Sequence, residues 1–116
     1  MAFNLFVVKK PSYLGRSHLE ILEALMSIGL FDIEHKIVFF EAGVSWLLKE
    51  QAPINEKSIE KQINALPMYG AENLYYVDSH AQALYPNQAL NENAEAVSTA
   101  ELASWMQQAE HVEVFG

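Results

Sequence analysis

The pattern of apolar and polar residues divides the chain into short strands that alternate with helices. Its clearest unit is residues 36–48, KIVFFEAGVSWLL. The unbroken apolar run at residues 37–40 is typical of a strand that is covered on both faces, as in the middle of a parallel sheet. Residues 41–43 predict a tight turn, and residues 44–48 then place apolar side chains at helical spacing, with Trp46 on the flank. Open α/β sheets usually carry function at the end of such a strand.

The same patterns predict the remaining elements. The predicted strands are residues 3–8, 37–40, 74–77, 94–97 and 111–115, and the predicted helices are residues 17–29, 44–48, 58–66, 80–84 and 98–109. Short strands that alternate with helices indicate a single α/β domain over residues 1–116. We expect a three-layer, flavodoxin-like sandwich around a mostly parallel five-stranded sheet, with residues 111–115 at an edge.

Two helices begin with a capping-box signature. Ser17 is followed three residues later by Glu20, and Ser98 is followed by Glu101. In this motif the serine side chain and the glutamate side chain each accept a hydrogen bond from an otherwise unpaired backbone N–H. We therefore expect helices to start at both serines.

Other boundaries follow from residues that interrupt helices. Gly29 marks the end of the first helix, and Pro67 stops the helix over residues 58–66. Asp78 and Ser79 are expected to cap the short helix that follows the third strand. Residues 85–93, which include a proline and three asparagines, form the segment expected to be most mobile.

Composition restricts the possible chemistry. Among 116 residues there is no cysteine, which excludes disulfides, thiolate metal sites, thiol nucleophiles and a persulfide carried by this chain. The sequence has no apolar run of about 20 residues and no basic start typical of a signal peptide. We expect a cytoplasmic protein that makes no contact with a membrane.

The net charge of −8 is unevenly distributed along the chain. All seven Lys and Arg residues lie at or before residue 61, whereas residues 62–116 contain seven acidic residues and neither Lys nor Arg. This half of the chain repels nucleic acid. Its acidic surface either keeps the protein soluble or faces a basic protein partner.

Candidate chemistry lies in the loops that follow the strands. Right-handed crossovers bring residues 9–16, 41–45 and 78–80 to one rim of the sheet. Arg16 there either binds an anion or forms a structural or interface salt bridge, and no glycine-rich phosphate motif accompanies it. We therefore predict no cofactor.

Asp78 with His80, and Glu41 on the neighbouring loop, form the best candidate for an acid–base or metal site. The signal is weak because Asp78 is also the expected helix cap. The four histidines lack the spacing of a zinc site, and Ser45 lacks the Gly-x-Ser-x-Gly environment of a nucleophile. No catalytic residue and no metal site are predicted.

The order of several motifs over residues 3–80 resembles the TusC/DsrF family of sulfur-relay proteins, within the DsrE/DsrF-like fold. The residues that carry the resemblance are Gly15-Arg16 followed by residues 19–26, then Val38-Phe39-Phe40 with Gly43-Val44 and Leu47-Leu48, then residues 66–70 before a strand. The family usually has an acidic residue before the glycine of the central turn, where this chain has Ala42. A role tied to that carboxylate is therefore not carried over.

The resemblance implies a parallel sheet with helices on both faces and a place in a heterohexamer with two copies each of three homologous subunits. A different subunit carries the persulfide cysteine, for 2-thiolation of the wobble uridine in tRNA or for sulfur oxidation. The TusC/DsrF-type subunit is described as lacking that cysteine. The absence of cysteine from this chain fits that role independently, since sulfur transfer needs a thiolate acceptor.

The resulting hypothesis is a non-catalytic structural subunit with TusB- and TusD-like partners and no direct contact with nucleic acid. Its expected interface residues are Arg16, Gly43, Trp46 and Tyr69. The alternative is a free-standing flavodoxin-like module that binds a small anionic ligand at the rim through Arg16 and the Gly43 turn.

Overall fold

A computed structural model describes residues 3–9, 16–30, 34–47, 63–70, 73–86 and 89–115, with side chains except those of residues 16–19, 22, 29, 30 and 69. The strands are β1 (Asn4–Val8), β2 (His35–Phe39), β3 (Leu74–Val77), β4 (Ala94–Val97) and β5 (His111–Phe115). The α-helices are α1 (Arg16–Leu30), α2 (Asp78–Leu84) and α3 (Thr99–Gln108), and the 3-10 helices are η1 (Glu41–Leu47) and η2 (Leu66–Tyr69). Residues 63–65 are also α-helical and lead directly into η2.

The five strands form one sheet in the order β4-β3-β2-β1-β5. Every neighbouring pair is parallel, so the sheet is wholly rather than mostly parallel. In β1 the four residues after Asn4 are all buried, as expected where helices cover both faces of a sheet. The predicted α/β fold and all five predicted strands are confirmed.

The boundaries of β2 differ from those predicted. The strand begins at His35, two residues before its predicted start at residue 37, and ends at Phe39, one residue before its predicted end. Two contacts extend its pairing toward the amino end: the Asn4 N–H donates to the carbonyl of Glu34, and the Asn73 side chain donates to the carbonyl of His35. Pairing with both neighbours therefore fixes the start of β2, and its own sequence pattern does not show this.

The segment after β2 is a 3-10 helix and not the predicted turn followed by an α-helix. It spans the seven residues Glu41–Leu47, and its five residues from Gly43 onward are buried. Runs of 3-10 helix this long are uncommon because their hydrogen-bond geometry is poorer. Residue 48, the last of the predicted helix, lies outside the described residues.

The cap of α3 is confirmed in detail. The Ser98 hydroxyl accepts a hydrogen bond from the Glu101 N–H at 3.0 Å, and the Glu101 carboxylate accepts one from the Ser98 N–H at 3.3 Å. Both donors would otherwise be unpaired at the start of the helix. The start of α3 is thus encoded locally. The predicted start at Ser17 is wrong, because α1 begins at Arg16 and Ser17 is its second residue. The Ser17 side chain lies outside the described set.

Three other boundary predictions are wrong. Asp78 is the first residue of α2 and Val77 is its N-cap, with no side-chain capping bond. The strand therefore runs directly into the helix, and no capping residue separates them. Pro67 does not end the preceding helix but lies at the start of η2, which ends at Gly70 in the left-handed region with φ 95°. A proline fits there because the first residues of a helix have no partner for their N–H groups. The first helix also continues one residue past Gly29.

One face of the sheet packs against α1 and the 3-10 helices. Ile21, Leu25 and Ile28 of α1 lie in a cluster with Trp46 and with buried side chains of β1, β2 and β3. These three positions recur at intervals of four and three residues, so they occupy one side of the helix. This apolar stripe accounts for the placement of α1 on the sheet.

The opposite face packs against α3, where a lysine lies among aromatic rings. Leu102 is buried with Leu5, Val7 and other sheet residues. Beside them, the Lys36 ammonium lies 4.5 Å from the ring centroid of Trp105, 5.2 Å from that of Tyr75 and 5.5 Å from that of Phe3. Each distance is within the range of a cation–π interaction. Lys36 of β2 therefore contacts β3, α3 and the residue that precedes β1.

We expect Lys36→Met to lower the free energy of unfolding by roughly 1–2 kcal/mol, since it removes the charge that three rings attract but keeps the length of the side chain. Lys36→Arg retains the charge and can stack on the rings, so a smaller loss is expected. Urea unfolding followed by circular dichroism measures both. Equal losses in the two variants would show that the charge does not stabilise this contact.

None of the helices in the described part of the chain is both long enough and apolar enough to span a membrane.

Candidate functional site

Residues from three loops meet at the carboxyl end of the central strands, as predicted. Lys9 follows β1, Glu41 follows β2 and His80 lies in α2 directly after β3. The Glu41 N–H donates a hydrogen bond to His80 Nδ1 at 3.0 Å, and the Lys9 ammonium lies 3.9 Å from the Glu41 carboxylate. We call Lys9, Phe40, Glu41 and His80 the rim cluster.

Phe40 lies at the centre of the rim cluster. Its ring meets the His80 imidazole edge to face, with 4.5 Å between the centroids, and the Lys9 ammonium lies 5.8 Å from its ring centroid. Nearby, the Tyr85 hydroxyl donates to the carbonyl of Ala42 at 3.2 Å. These contacts attach α2 and the residue that follows it to the first turn of η1.

Glu41 adopts a strained backbone conformation. Its φ of 50° makes it the only non-glycine residue in the described ranges with a positive φ. A residue with a Cβ typically pays about 1–3 kcal/mol to remain in a sparsely populated region, and such strain persists only where surrounding contacts impose it. Here two hydrogen bonds hold Glu41 and the residue before it in place. The Glu41 N–H donates to His80, and the Phe40 N–H donates to the carbonyl of Val8 at 2.9 Å.

The hydrogen bond from Glu41 also indicates the tautomer of His80. Because Nδ1 accepts a hydrogen bond from the backbone N–H, the ring hydrogen lies on Nε2. His80 therefore presents a donor, and not a free base at Nδ1. The lone pair that a general base would need at Nδ1 is already occupied.

The structure does not bring together the candidate acid–base group of Asp78, His80 and Glu41. Asp78 is exposed and its carboxylate makes no hydrogen bond or ion pair with another residue of the described part of the chain, His80 included. No group of three or more His, Asp or Glu side chains suited to a metal ion occurs within the described ranges. Glu41 and His80 do meet, but through a backbone N–H.

We expect His80→Ala to destabilise the protein by about 1 kcal/mol, because the Glu41 N–H loses its acceptor while the strained φ remains. His80→Asn offers an amide oxygen near the position of Nδ1 and is expected to recover part of the loss. Thermal and urea unfolding of the three proteins test this. If both variants match the wild type, the hydrogen bond does not hold the turn.

Gly43 is in close contact with β1. A Cβ placed on Gly43 would lie 1.8 Å from the carbonyl oxygen of Val8. The turn therefore touches the strand directly and leaves no space for a ligand between them. This weighs against the anion-binding alternative at the Gly43 turn. Arg16, its other expected contact, has a side chain outside the described set.

The four expected interface residues stay predictions. Trp46 is fully buried in the chain's own core and Gly43 is buried against β1, so neither offers a free surface here. The side chains of Arg16 and Tyr69 are not described. Sequence reasoning did not single out Lys9 or Phe40, although their positions directly after β1 and β2 already placed them at this rim.

Two open clefts flank the start of α2. One, of about 400 Å³, lies between α2, β3 and the segment before β4, and its walls include Tyr76, Asp78 and Glu92. The other, of about 370 Å³, lies between the starts of α2 and α3, with Asp78 and Glu101 in its walls. Carboxylates on both clefts disfavour an anionic ligand.

The far side of the first cleft is held by asparagines. The Asn91 amide donates to the Asn64 side chain at 2.8 Å, and the Asn91 N–H donates to the carbonyl of Leu47 at 2.7 Å. Asn91 is buried. Residues 85, 86 and 89–93 are described, and the mobility predicted for this segment stays a prediction.

The sequence model of the DsrE/DsrF-like family matches residues 4–115, almost the whole chain. The chain belongs to the DsrE/DsrF-like family. Within that family, a curated relative from Pseudomonas aeruginosa named "Protein TusC homolog" is 30% identical over 78 residues. That match covers 65% of this chain and 66% of the relative, just under two thirds of its length.

A solved structure supports the same fold. The crystal structure of the ychN protein from E. coli superposes on this DsrE/DsrF-like chain with a TM-score of 0.83, over 99% of this chain and 100% of that one. The sequence identity is only 17%, so this likeness shows the fold alone. The membership of the wider DsrE/DsrF-like family that was inferred from the order of motifs is confirmed.

Proposed function

We propose that this chain is a non-catalytic subunit of a cytoplasmic sulfur-relay complex, in which a homologous DsrE-like subunit carries the persulfide. The observation that carries the proposal is the combination of family membership with a sequence that contains no cysteine. Sulfur moves between proteins by attack of a thiolate on a sulfur atom, and this chain has no thiolate. Its relative named as a TusC homolog points to the same subunit type.

The rim cluster supports a structural role. At the carboxyl ends of the central strands, the backbone N–H of Glu41, the Nδ1 of His80 and the Lys9 ammonium all have partners within the chain. No acid–base pair or metal group forms among the described residues of this rim. The rim is thus built as a rigid surface, suited to packing against another protein.

The complex proposed is a heterohexamer with TusB- and TusD-like partners, and its proposed output is 2-thiolation of the wobble uridine in tRNA. The acidic half of the chain disfavours direct binding of tRNA. The nucleic acid is therefore expected to contact another subunit.

Purification of the tagged chain from its own host tests the assembly. We expect it to elute at the mass of a hetero-oligomer with two DsrE-family proteins of similar size, one of which has a reactive cysteine. A tagged protein of similar size and charge from another family is the control. Elution of the chain alone or as a homo-oligomer contradicts the proposal and favours the alternative, a module that binds a small ligand. A thermal-shift screen with flavins and nucleotides then tests that alternative.

Sulfur labelling tests the role within the complex. With radiolabelled persulfide sulfur supplied by a cysteine desulfurase, the label is expected on the cysteine-bearing partner and not on this chain. Deletion of the gene is expected to lower 2-thiouridine in tRNA. Normal 2-thiouridine together with impaired sulfur oxidation would assign the complex to the other pathway.

A further inference from the structure

The edge strand β5 exposes apolar side chains on the face that α3 otherwise covers. Val112 and Val114 pair with Leu5 and Val7 of β1, which are 0% and 2% exposed. The side chains of Val112 and Val114 are 36% and 46% exposed. The side chains that cover this face of the sheet therefore bury β1 but leave β5 exposed.

The position of α3 explains this boundary. Trp105 packs edge to face on Tyr75 of β3, with 4.8 Å between the centroids, and it lies over Lys36 of β2. The helix is thereby held over the β2–β3 side of the sheet. β5 lies two strands away from β2, at the opposite edge from β4.

The backbone of β5 is also open on one side. Within the described residues it pairs only with β1, so its outer row of N–H and C=O groups faces no other strand. The other edge strand, β4, has the sequence AEAV and presents Glu95 and Ala96 as its exposed central positions. Natural edge strands are usually protected by charges or small size, as β4 is. β5 also has one exposed carboxylate, Glu113, but it exposes two valines where β4 exposes an alanine.

Charge indicates what kind of chain fits this edge. Glu110 and Glu113 are exposed beside the valines, and no Lys or Arg occurs anywhere after residue 61. In a second copy of this chain, the antiparallel register that pairs all five residues of β5 would set Glu113 against Glu113. Like charges directly opposite each other destabilise a strand pair, whereas a Lys or Arg opposite a Glu stabilises it.

We propose that β5 is the docking edge for a strand of a different, basic subunit, which adds to the sheet as a sixth strand. The added strand presents apolar residues on the Val112 and Val114 face and a Lys or Arg opposite Glu113. Backbone hydrogen bonds supply affinity, and the alternating side chains supply specificity. This inference rests on the proposed hetero-oligomer and assigns its contact to one edge of the sheet.

The test compares substitutions at the two edges in the complex purified from the host. Val114→Lys removes an apolar contact and adds a charge that repels a basic partner. Glu113→Lys replaces the charge that attracts the partner's Lys or Arg with one that repels it. Each is expected to lower the recovery of the identified DsrE-family partners at least tenfold. Ala96→Lys on β4 is the matched control and is expected to retain them. Circular dichroism melts verify that all three variants fold.

Carbodiimide coupling, which joins a carboxylate to a lysine in direct contact, identifies the neighbour. We expect a link from Glu113 or Glu110 to a lysine of a partner subunit, lost in the Glu113→Gln, Glu110→Gln double variant. An intact complex with Val114→Lys, or links from β5 to a second copy of this chain, overturns the β5 assignment alone. A wild-type chain that elutes without partners overturns the proposed function as well, so the two failures are distinguishable.

Discussion

Gly43→Ala is expected to destabilise the protein by about 3 kcal/mol or more. The added Cβ would lie 1.8 Å from the carbonyl oxygen of Val8, a backbone atom that cannot rotate away. Relief requires η1 to move off β1, which disturbs the buried residues that follow Gly43. Overpacking of this kind typically costs 1–3 kcal/mol and more where only backbone can yield. Urea unfolding measures the loss.

Gly70→Ala is the matched control, since it adds the same methyl group at an exposed glycine. Gly70 has φ 95°, so alanine there is strained by its backbone angle, at a cost of about 1–2 kcal/mol. We expect Gly70→Ala to lower the free energy of unfolding less than Gly43→Ala does. Equal losses would mean that the contact with Val8 relaxes without cost.

Trp46→Ala is expected to lower the free energy of unfolding by about 3–5 kcal/mol, because Trp46 is fully buried and its loss leaves a large cavity between η1 and the sheet. The total free energy of unfolding of a small domain is only about 5–15 kcal/mol, so much of the variant protein is expected to unfold at 37 °C. Calorimetric or urea unfolding shows the size of the loss.

Trp105→Ala provides the comparison with a half-buried tryptophan. It removes the ring that packs on Tyr75 and Lys36, but no part of the α1 core. We expect a loss of roughly half that of Trp46→Ala or less. If Trp46→Ala were the milder change, and the variant folded but lost its partners, Trp46 would act in an interface after all.

Features encoded by neighbouring residues were predictable from the sequence. The cap of α3 needs only Ser98 and Glu101, three residues apart, and the structure shows both of its hydrogen bonds. Runs of β-branched and aromatic residues likewise indicate the strands other than β4, whose sequence AEAV is only a weak signal. Their parallel arrangement follows from the helices between them. The meeting of Lys9, Glu41 and His80 followed from the same topology.

Features that depend on distant contacts were not predictable. No residue near Gly43 in the sequence indicates that the Val8 carbonyl lies against it. The structure shows this contact together with a 3-10 helix, where an α-helix was expected. Asp78 has the residue type of a cap, yet β3 continues straight into α2 and leaves it no such role. The hydrogen bond between His80 and the Glu41 backbone joins residues 39 positions apart, and single-residue preferences carry no signal for it.

The pairing of β1 with β5 determines when the sheet can form. Asn4 pairs with His111, so the two partners are 107 positions apart in the sequence (111 − 4). During synthesis, the side of β1 that β5 covers stays open until β5 has been made. Pairings between such distant segments fold slowly because the cost of closing the loop comes before any contact is gained. The nascent chain therefore keeps one edge of the buried strand β1 exposed until β5 is available to pair with it.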